Sequence, residues 1–234
     1  MSSAFSSQLD AVLKGLGAGC AVLALILPGQ VISTQARPHE TVRVHAPRVA
    51  DFGGEVPAPD VRRMANWVVD SRDHRGMPFV VIDKQQARVF VFQPDGKLAG
   101  ATAALLGSAI GDDSVPGIGE RELSAILPHE RTTPAGRFVS VPGLNTAGED
   151  IIWVDYDAAV SMHRVRTKNL KERRAERLAS ETAEDNRISF GCINLPVDFY
   201  ESVVKPALGT NHGVFYVLPE TRPLQSVFAA LKTS

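Results

Sequence analysis

A mainly β domain with a few peripheral helices is what this 234-residue chain predicts, and three observations predict it. Short apolar runs rich in Val, Ile and Phe follow one another from residue 79 onward, bounded by Gly, Pro or Asp. Turn chemistry separates them, most plainly at Pro94, Asp95, Gly96 and Lys97. Helical periodicity is confined to short stretches beside them. Sequential short strands with few helices point to a largely antiparallel core.

Composition narrows the function classes. With 44% hydrophobic residues the chain can bury one medium domain, plus an extension. A net charge of -1 carries no electrostatic footprint for nucleic acid or an anionic membrane surface. No internal repeat or low-complexity segment is present.

In chain order, residues 1–36 read as a targeting segment. An apolar run over 15–27 follows Lys14 and precedes Pro28 and Gly29, and Thr34, Gln35 and Ala36 offer small residues for cleavage. A cleaved signal peptide, an uncleaved membrane anchor and an internal core helix all fit this run. Export to the periplasm or cell envelope is the expectation, with the membrane touched only through this segment. Residues 37–59, with Pro38, Pro47, Pro57, Pro59, Gly53 and Gly54, read as a linker. The folded domain is expected over 60–234, with Asp60 as the N-cap of a helix that buries Val61, Met64, Ala65 and Val68. Strands follow at 79–83 and 88–92, a return strand at 98–107, a cleft-lining loop at 111–133, and strands at 136–141, 150–154 and 159–163. The charged stretch 168–184 has Leu170, Arg174, Arg177 and Leu178 at helical spacing and reads as a surface helix. It is either a solvated insertion or a lid over the cleft. Beyond it, Pro196 suits a first helical turn, and Val197, Tyr200, Val203 and Val204 form a stripe expected to be buried and to end near Pro206.

Cys192 is the one cysteine outside the N-terminal apolar run. If Cys20 leaves with a signal peptide, Cys192 is an unpaired thiol in an oxidising compartment, which marks it as a candidate nucleophile. Gly191 before it permits a tight turn with exposed N–H groups, as acyl transfer requires. The alternative is a small buried hydrophobe. His163, at the end of a strand, is either structural or a catalytic base. None of the six histidines pairs at zinc-ligand spacing, so no metal is expected, and acyl transfer through a thiol needs no other cofactor because the enzyme itself carries the acyl group.

The order His163, then Ser189-Phe190-Gly191-Cys192-Ile193-Asn194, resembles the L,D-transpeptidase catalytic domain. Thr133-Pro134-Ala135-Gly136-Arg137-Phe138 resembles that family's strand entry, residues 80–97 its opening hairpin and 214–220 its closing strand, so the resemblance covers residues 78–220. It implies a β-sandwich-like fold and an exported enzyme acting on peptidoglycan stem peptides through a cysteine thioester, with an amine on a second stem or on an acceptor protein completing transfer. By the same resemblance Cys192 is the nucleophile and His163 its base, Gly191 and Cys192 offer oxyanion N–H donors, and Ser189 orients the turn. Arg187 and Asn194 flank the loop and are candidates either for binding a carboxylate or amide of the substrate or for pinning the turn. Two features depart from the family. Phe190 replaces the usual second histidine, and 25 residues separate His163 from Ser189, more than is usual there. Hydrolysis by the same site, or a binding module that has lost turnover, are the other readings.

Overall fold

The computed structural model describes residues 46–232. The targeting segment and the first part of the linker lie outside them. Among the described residues no helix is long and apolar enough to cross a membrane.

One eight-stranded sheet organises the domain. Its strands are β1 (Phe79–Asp83), β2 (Arg88–Phe92), β3 (Leu98–Ala103), β5 (Gly136–Leu144), β6 (Asp150–Asp155), β7 (Val160–Arg164), β9 (Ile193–Leu195) and β10 (Gly213–Val217). Their spatial order is β3-β2-β1-β10-β5-β6-β7-β9, and a parallel pair of β4 (Leu106–Gly107) with β8 (Arg187–Ser189) stands beside it. All neighbours in the large sheet are antiparallel except β1 with β10 and β7 with β9. The expected mainly β architecture with peripheral helices is therefore present. Its sandwich-like layering arises from one sheet curling on itself: Leu105, just past the β3 edge, exchanges two backbone hydrogen bonds of 2.9 Å with Asn194 on the opposite edge strand.

Two apolar layers follow from the curl. Val80, Ile82, Val89, Val91, Met162 and Phe215 face its inside, with Tyr200 and Val204 from the helical stretch after β9. Phe79, Val81, Phe90, Phe92, Val214 and Tyr216 face the other side. There they meet α1 (Pro59–Ser71) through Val61, Met64, Ala65 and Val68, and the C-terminal Phe228 and Leu231. Strands buried on both faces read as near-continuous apolar runs, and β1, β2 and β10 do, apart from Asp83 and Arg88 where β1 and β2 meet at their turn.

Several local expectations need correction. Asp60 is not the N-cap of α1: Ala58 holds that position, Pro59 occupies the first turn, and Asp60 sits beside it facing the positive end of the helix dipole. Part of the expected linker packs on the domain, since Ala50 and Phe52 are buried and the Ala50 N–H donates to Asn66 Oδ1 at 3.0 Å. The return strand breaks between Ala103 and Leu106, where the chain crosses toward β9. The charged stretch is not one helix. It holds a 3-10 turn (Leu170–Glu172), the six-residue α2 (Arg174–Ala179) and a second 3-10 turn (Ala183–Asn186), and Leu170 is 85% exposed. After β9, α3 (Val197–Phe199), a π turn (Tyr200–Val204) and α4 (Lys205–Leu208) run on without a break, ending close to Pro206 as expected. Pro206 has no N–H for the carbonyl four residues earlier, which favours wider i→i+5 bonding there. Val197 is exposed rather than buried.

Met64 is fully buried between α1 and the sheet. Met64→Ala should lower stability by about 2–5 kcal/mol through the cavity it leaves, read as a reduced urea midpoint. An unchanged midpoint would contradict the docking of α1.

Candidate active site

The site is built by the parallel pairing of β7 and β9. Met162 lies opposite Ile193 and His163 opposite Asn194, so Cys192, one residue before β9, comes beside Ser161. Ser161 Oγ lies 3.6 Å from Cys192 Sγ, and the thiol donates to the Ala159 carbonyl at 3.6 Å. Ser161 and His163 are two apart on one strand, so their side chains share a face. His163 Nδ1 lies 2.7 Å from the Arg164 carbonyl. A carbonyl only accepts, so Nδ1 carries the proton and Nε2 is the nitrogen left for the thiol. Burial pushes the Cys192 pKa up. The hydrogen bond and charge of His163, helped by the Ser161 amide and hydroxyl, outweigh that and hold the thiol below its ordinary value.

The loop that carries the sulfur is tied at several points. Ser189 Oγ donates to the Cys192 carbonyl at 2.6 Å and accepts the Gly191 N–H at 3.1 Å, closing the turn. The Gly191 amide is thus engaged inside the loop, which removes it as an oxyanion donor. The Cys192 N–H makes no hydrogen bond among the described residues. Gly191 has φ +129°, and a Cβ there would lie 2.7 Å from the Thr132 carbonyl oxygen, so only glycine fits. Phe190 receives the Arg131 guanidinium over its ring, 4.1 Å from the centroid.

Of the two residues read as substrate-binding or turn-pinning, Arg187 does neither at the sulfur, and Asn194 pins the turn from within the cavity wall. Arg187 does not reach the sulfur's surroundings. It donates to the Lys84 carbonyl at 2.6 Å and pairs with Glu220, holding the C-terminal segment. Asn194 does line the cavity but is buried and committed: its Oδ1 accepts from Arg174 Nη1 at 2.7 Å and its Nδ2 donates to the Cys192 carbonyl at 3.2 Å.

A cavity of about 330 Å³ opens onto Cys192 between His163, Phe190, Asn194, Arg166 and Arg174. Lys168, Asn169, Glu172 and Arg174 of its wall come from the charged insertion, so the insertion borders the site rather than standing clear of it. His163 also borders a second hollow of about 350 Å³, with Asp150, Arg164 and Val197. Sequence reasoning missed Ser161, Arg131 and Thr133. For Ser161 a signal existed, its period-two spacing from His163; Arg131 and Thr133 reach the loop from a remote segment.

Gly191→Ala should strain the loop by about 1–3 kcal/mol and slow alkylation of Cys192 by iodoacetamide in protein that remains folded. Alkylation at the wild-type rate would show that the loop tolerates a Cβ.

No protein-family model matches the chain, and no curated protein does. Similar solved structures are L,D-transpeptidases. One, the Ldtfm–avibactam carbamoyl enzyme, is 16% identical over 61% of this chain and 49% of that one, with a TM-score of 0.35. Another, the catalytic domain of the E. faecium L,D-transpeptidase solved by NMR, is 17% identical over 60% of this chain and 96% of that one, with a TM-score of 0.30. This chain thus matches about half the length of the first. At this distance the likeness assigns neither an activity nor residue roles to the chain.

Proposed function

We propose that this protein is an exported L,D-transpeptidase that acts on peptidoglycan stem peptides through a thioester on Cys192. The observation that carries the reading is the placement of Cys192 and His163 by paired strands on the wall of one cavity, where the imidazole lowers the thiol's pKa against the effect of burial. The motif resemblance supplies the substrate class.

An ordinary thiol, with a pKa of about 8.5, is only a few per cent ionised near neutrality. With His163 beside it, the proton resides on the imidazole and the thiolate attacks the carbonyl carbon of the diaminopimelate residue. The Cys192 N–H faces the developing oxyanion. Collapse breaks the C–N bond, and the leaving D-alanine amine takes the proton from His163. An acceptor amine then gives a proton to His163, attacks the thioester and releases the thiolate. Atoms and charges balance with no further reagent.

The two hollows sharing His163 favour transfer to an amine over hydrolysis, since they offer room for a donor stem on one side and an acceptor on the other. The acceptor is a second stem or a protein. Glu172 and Arg174 from the insertion, with Arg166 just before it, shape the wall on the thiol side, which suits a part in selecting what enters.

Incubating the pure protein with peptidoglycan should give cross-linked stems detectable by mass analysis after digestion, and Cys192→Ala should abolish them while keeping the fold. Release of D-alanine without cross-links would make it a hydrolase, and turnover by the Cys192→Ala variant would sink the covalent mechanism. The thiol gives a substrate-free test. Alkylation should stay fast in mildly acidic buffer, and His163→Ala should move its pH midpoint up toward about 8.5, because removing a positive neighbour only weakens the thiolate. A midpoint unmoved by that substitution would leave the binding-module reading in its place.

Replacing residues 169–182 with a short Gly/Ser linker should impair transpeptidation but spare acylation by a small carbapenem. Equal loss of both would assign the insertion to holding the His163–Cys192 geometry instead.

A further inference from the structure

Just past the end of β1 lies a fully buried lysine. Lys84 Nζ donates to the Gly111 carbonyl at 2.6 Å, to Asp112 Oδ1 at 2.7 Å and to the Thr133 carbonyl at 2.9 Å. Glu220 stands 3.4 Å away and is itself paired with Arg187. Burial works to raise the Asp112 pKa, but the Lys84 ammonium, the Thr221 hydroxyl and the Glu220 and Thr221 amides hold it well below the usual carboxylate range. A buried, balanced cluster of this kind is costly to desolvate, and a hydrophobic core of the same volume would serve stability as well. Its directional bonds do something a hydrophobic core does not: they fix the position of the Thr133 backbone.

Thr133 in turn is a junction. It is fully buried, its Oγ1 accepts the Gly107 N–H at 2.9 Å, and it donates its own proton to the Gly191 carbonyl at 2.8 Å. Residues 131–133 fit between two glycines. A Cβ on Gly107 would fall 2.3 Å from the Arg131 oxygen and 2.7 Å from the Thr133 nitrogen, and one on Gly191 would fall 2.7 Å from the Thr132 oxygen. Arg131 adds its cation over Phe190. Three successive residues therefore cradle the backbone immediately before Cys192, and the cradle is anchored at the far side by Lys84.

We propose that Thr133, held by Lys84, is a positioning residue for the nucleophile: its hydroxyl fixes the Gly191 carbonyl and so sets where Cys192 stands relative to His163. The hydroxyl is the operative group, because it alone is donor to Gly191 and acceptor from Gly107 at once. The inference rests on Cys192 and His163 being the reactive pair, as proposed above, but not on which substrate they take.

The test uses the full chain with Thr133→Val, which keeps the shape and deletes the hydroxyl, and Thr133→Ser, which keeps the hydroxyl. Misplacing the loop by a fraction of an ångström to an ångström should slow thioester formation on peptidoglycan by on the order of 10–100-fold in Thr133→Val. It should also raise the pH midpoint of iodoacetamide alkylation, and Thr133→Ser should restore most of both. Folded Thr133→Val with the wild-type rate and midpoint would overturn the proposal, as would equal defects in the two variants. If Thr133→Val does not fold, Thr133→Ala is read by the same two measurements. Should the wild-type protein leave peptidoglycan untouched, the transpeptidase reading fails alone, and the alkylation midpoints still decide the role of Thr133.

Discussion

The site depends on one strand pairing, that of β9 against β7. Because the two run parallel with His163 opposite Asn194, the residue entering β9 must come beside the residue two before His163. That places Cys192 next to Ser161 without any contact between distant side chains having to find it. Asn194 is held from both sides, by β7 and by the reciprocal backbone bonds to Leu105 that close the curl of the sheet. The strand whose one edge closes the sheet is thus the strand whose other edge assembles the thiol and imidazole.

Parallel neighbours need a crossover of a dozen or more residues, whereas antiparallel ones need only a turn. The long charged stretch between β7 and β9 is that crossover, so its first duty is topological. Its path leads along the cavity, and Arg174 reaches down to Asn194 Oδ1 from it. Its surface is exposed and polar, while Arg166, Glu172 and Arg174 form one wall of the space above the sulfur.

Legibility followed burial. β1, β2 and β10 could be read from sequence because both their faces are covered, which forces unbroken apolar runs. β5 ran past its expected end because Pro142 and Gly143 look like breakers, yet Gly143 is required where the Trp153 ring covers it, only 2.8 Å from a Cβ position. Three-residue β8 and β9 carry too little pattern to stand out, although the cysteine motif lies between them. The sequence suggests either substrate binding or pinning of the turn for Arg187, because it adjoins that motif. Its real partners, Lys84 and Glu220, are remote in sequence, and no local pattern predicts a pairing of that kind. The geometry of Gly191 was anticipated, but the capture of its amide by Ser189 Oγ was not, since that needs the turn closed.

The charges around the sulfur show why the imidazole dominates its chemistry. Arg164 is held by Asp150 and Glu201, Arg166 by Glu149 and Arg174 by Glu172. Each is largely neutralised before its field reaches Cys192. Lys168 is exposed at the rim, where water and salt screen it. What remains at short range is His163, with the Ser161 amide and hydroxyl, working against burial of the thiolate. Each unit of pKa gained there is worth about 1.4 kcal/mol of preference for the ionised sulfur. Because that preference comes from one adjacent ring rather than from a diffuse basic patch, it falls off with small displacements of the loop. A nucleophile of this kind needs rigid backbone support more than it needs surrounding charge, and the glycines and buried hydrogen bonds on the far side of the loop provide it.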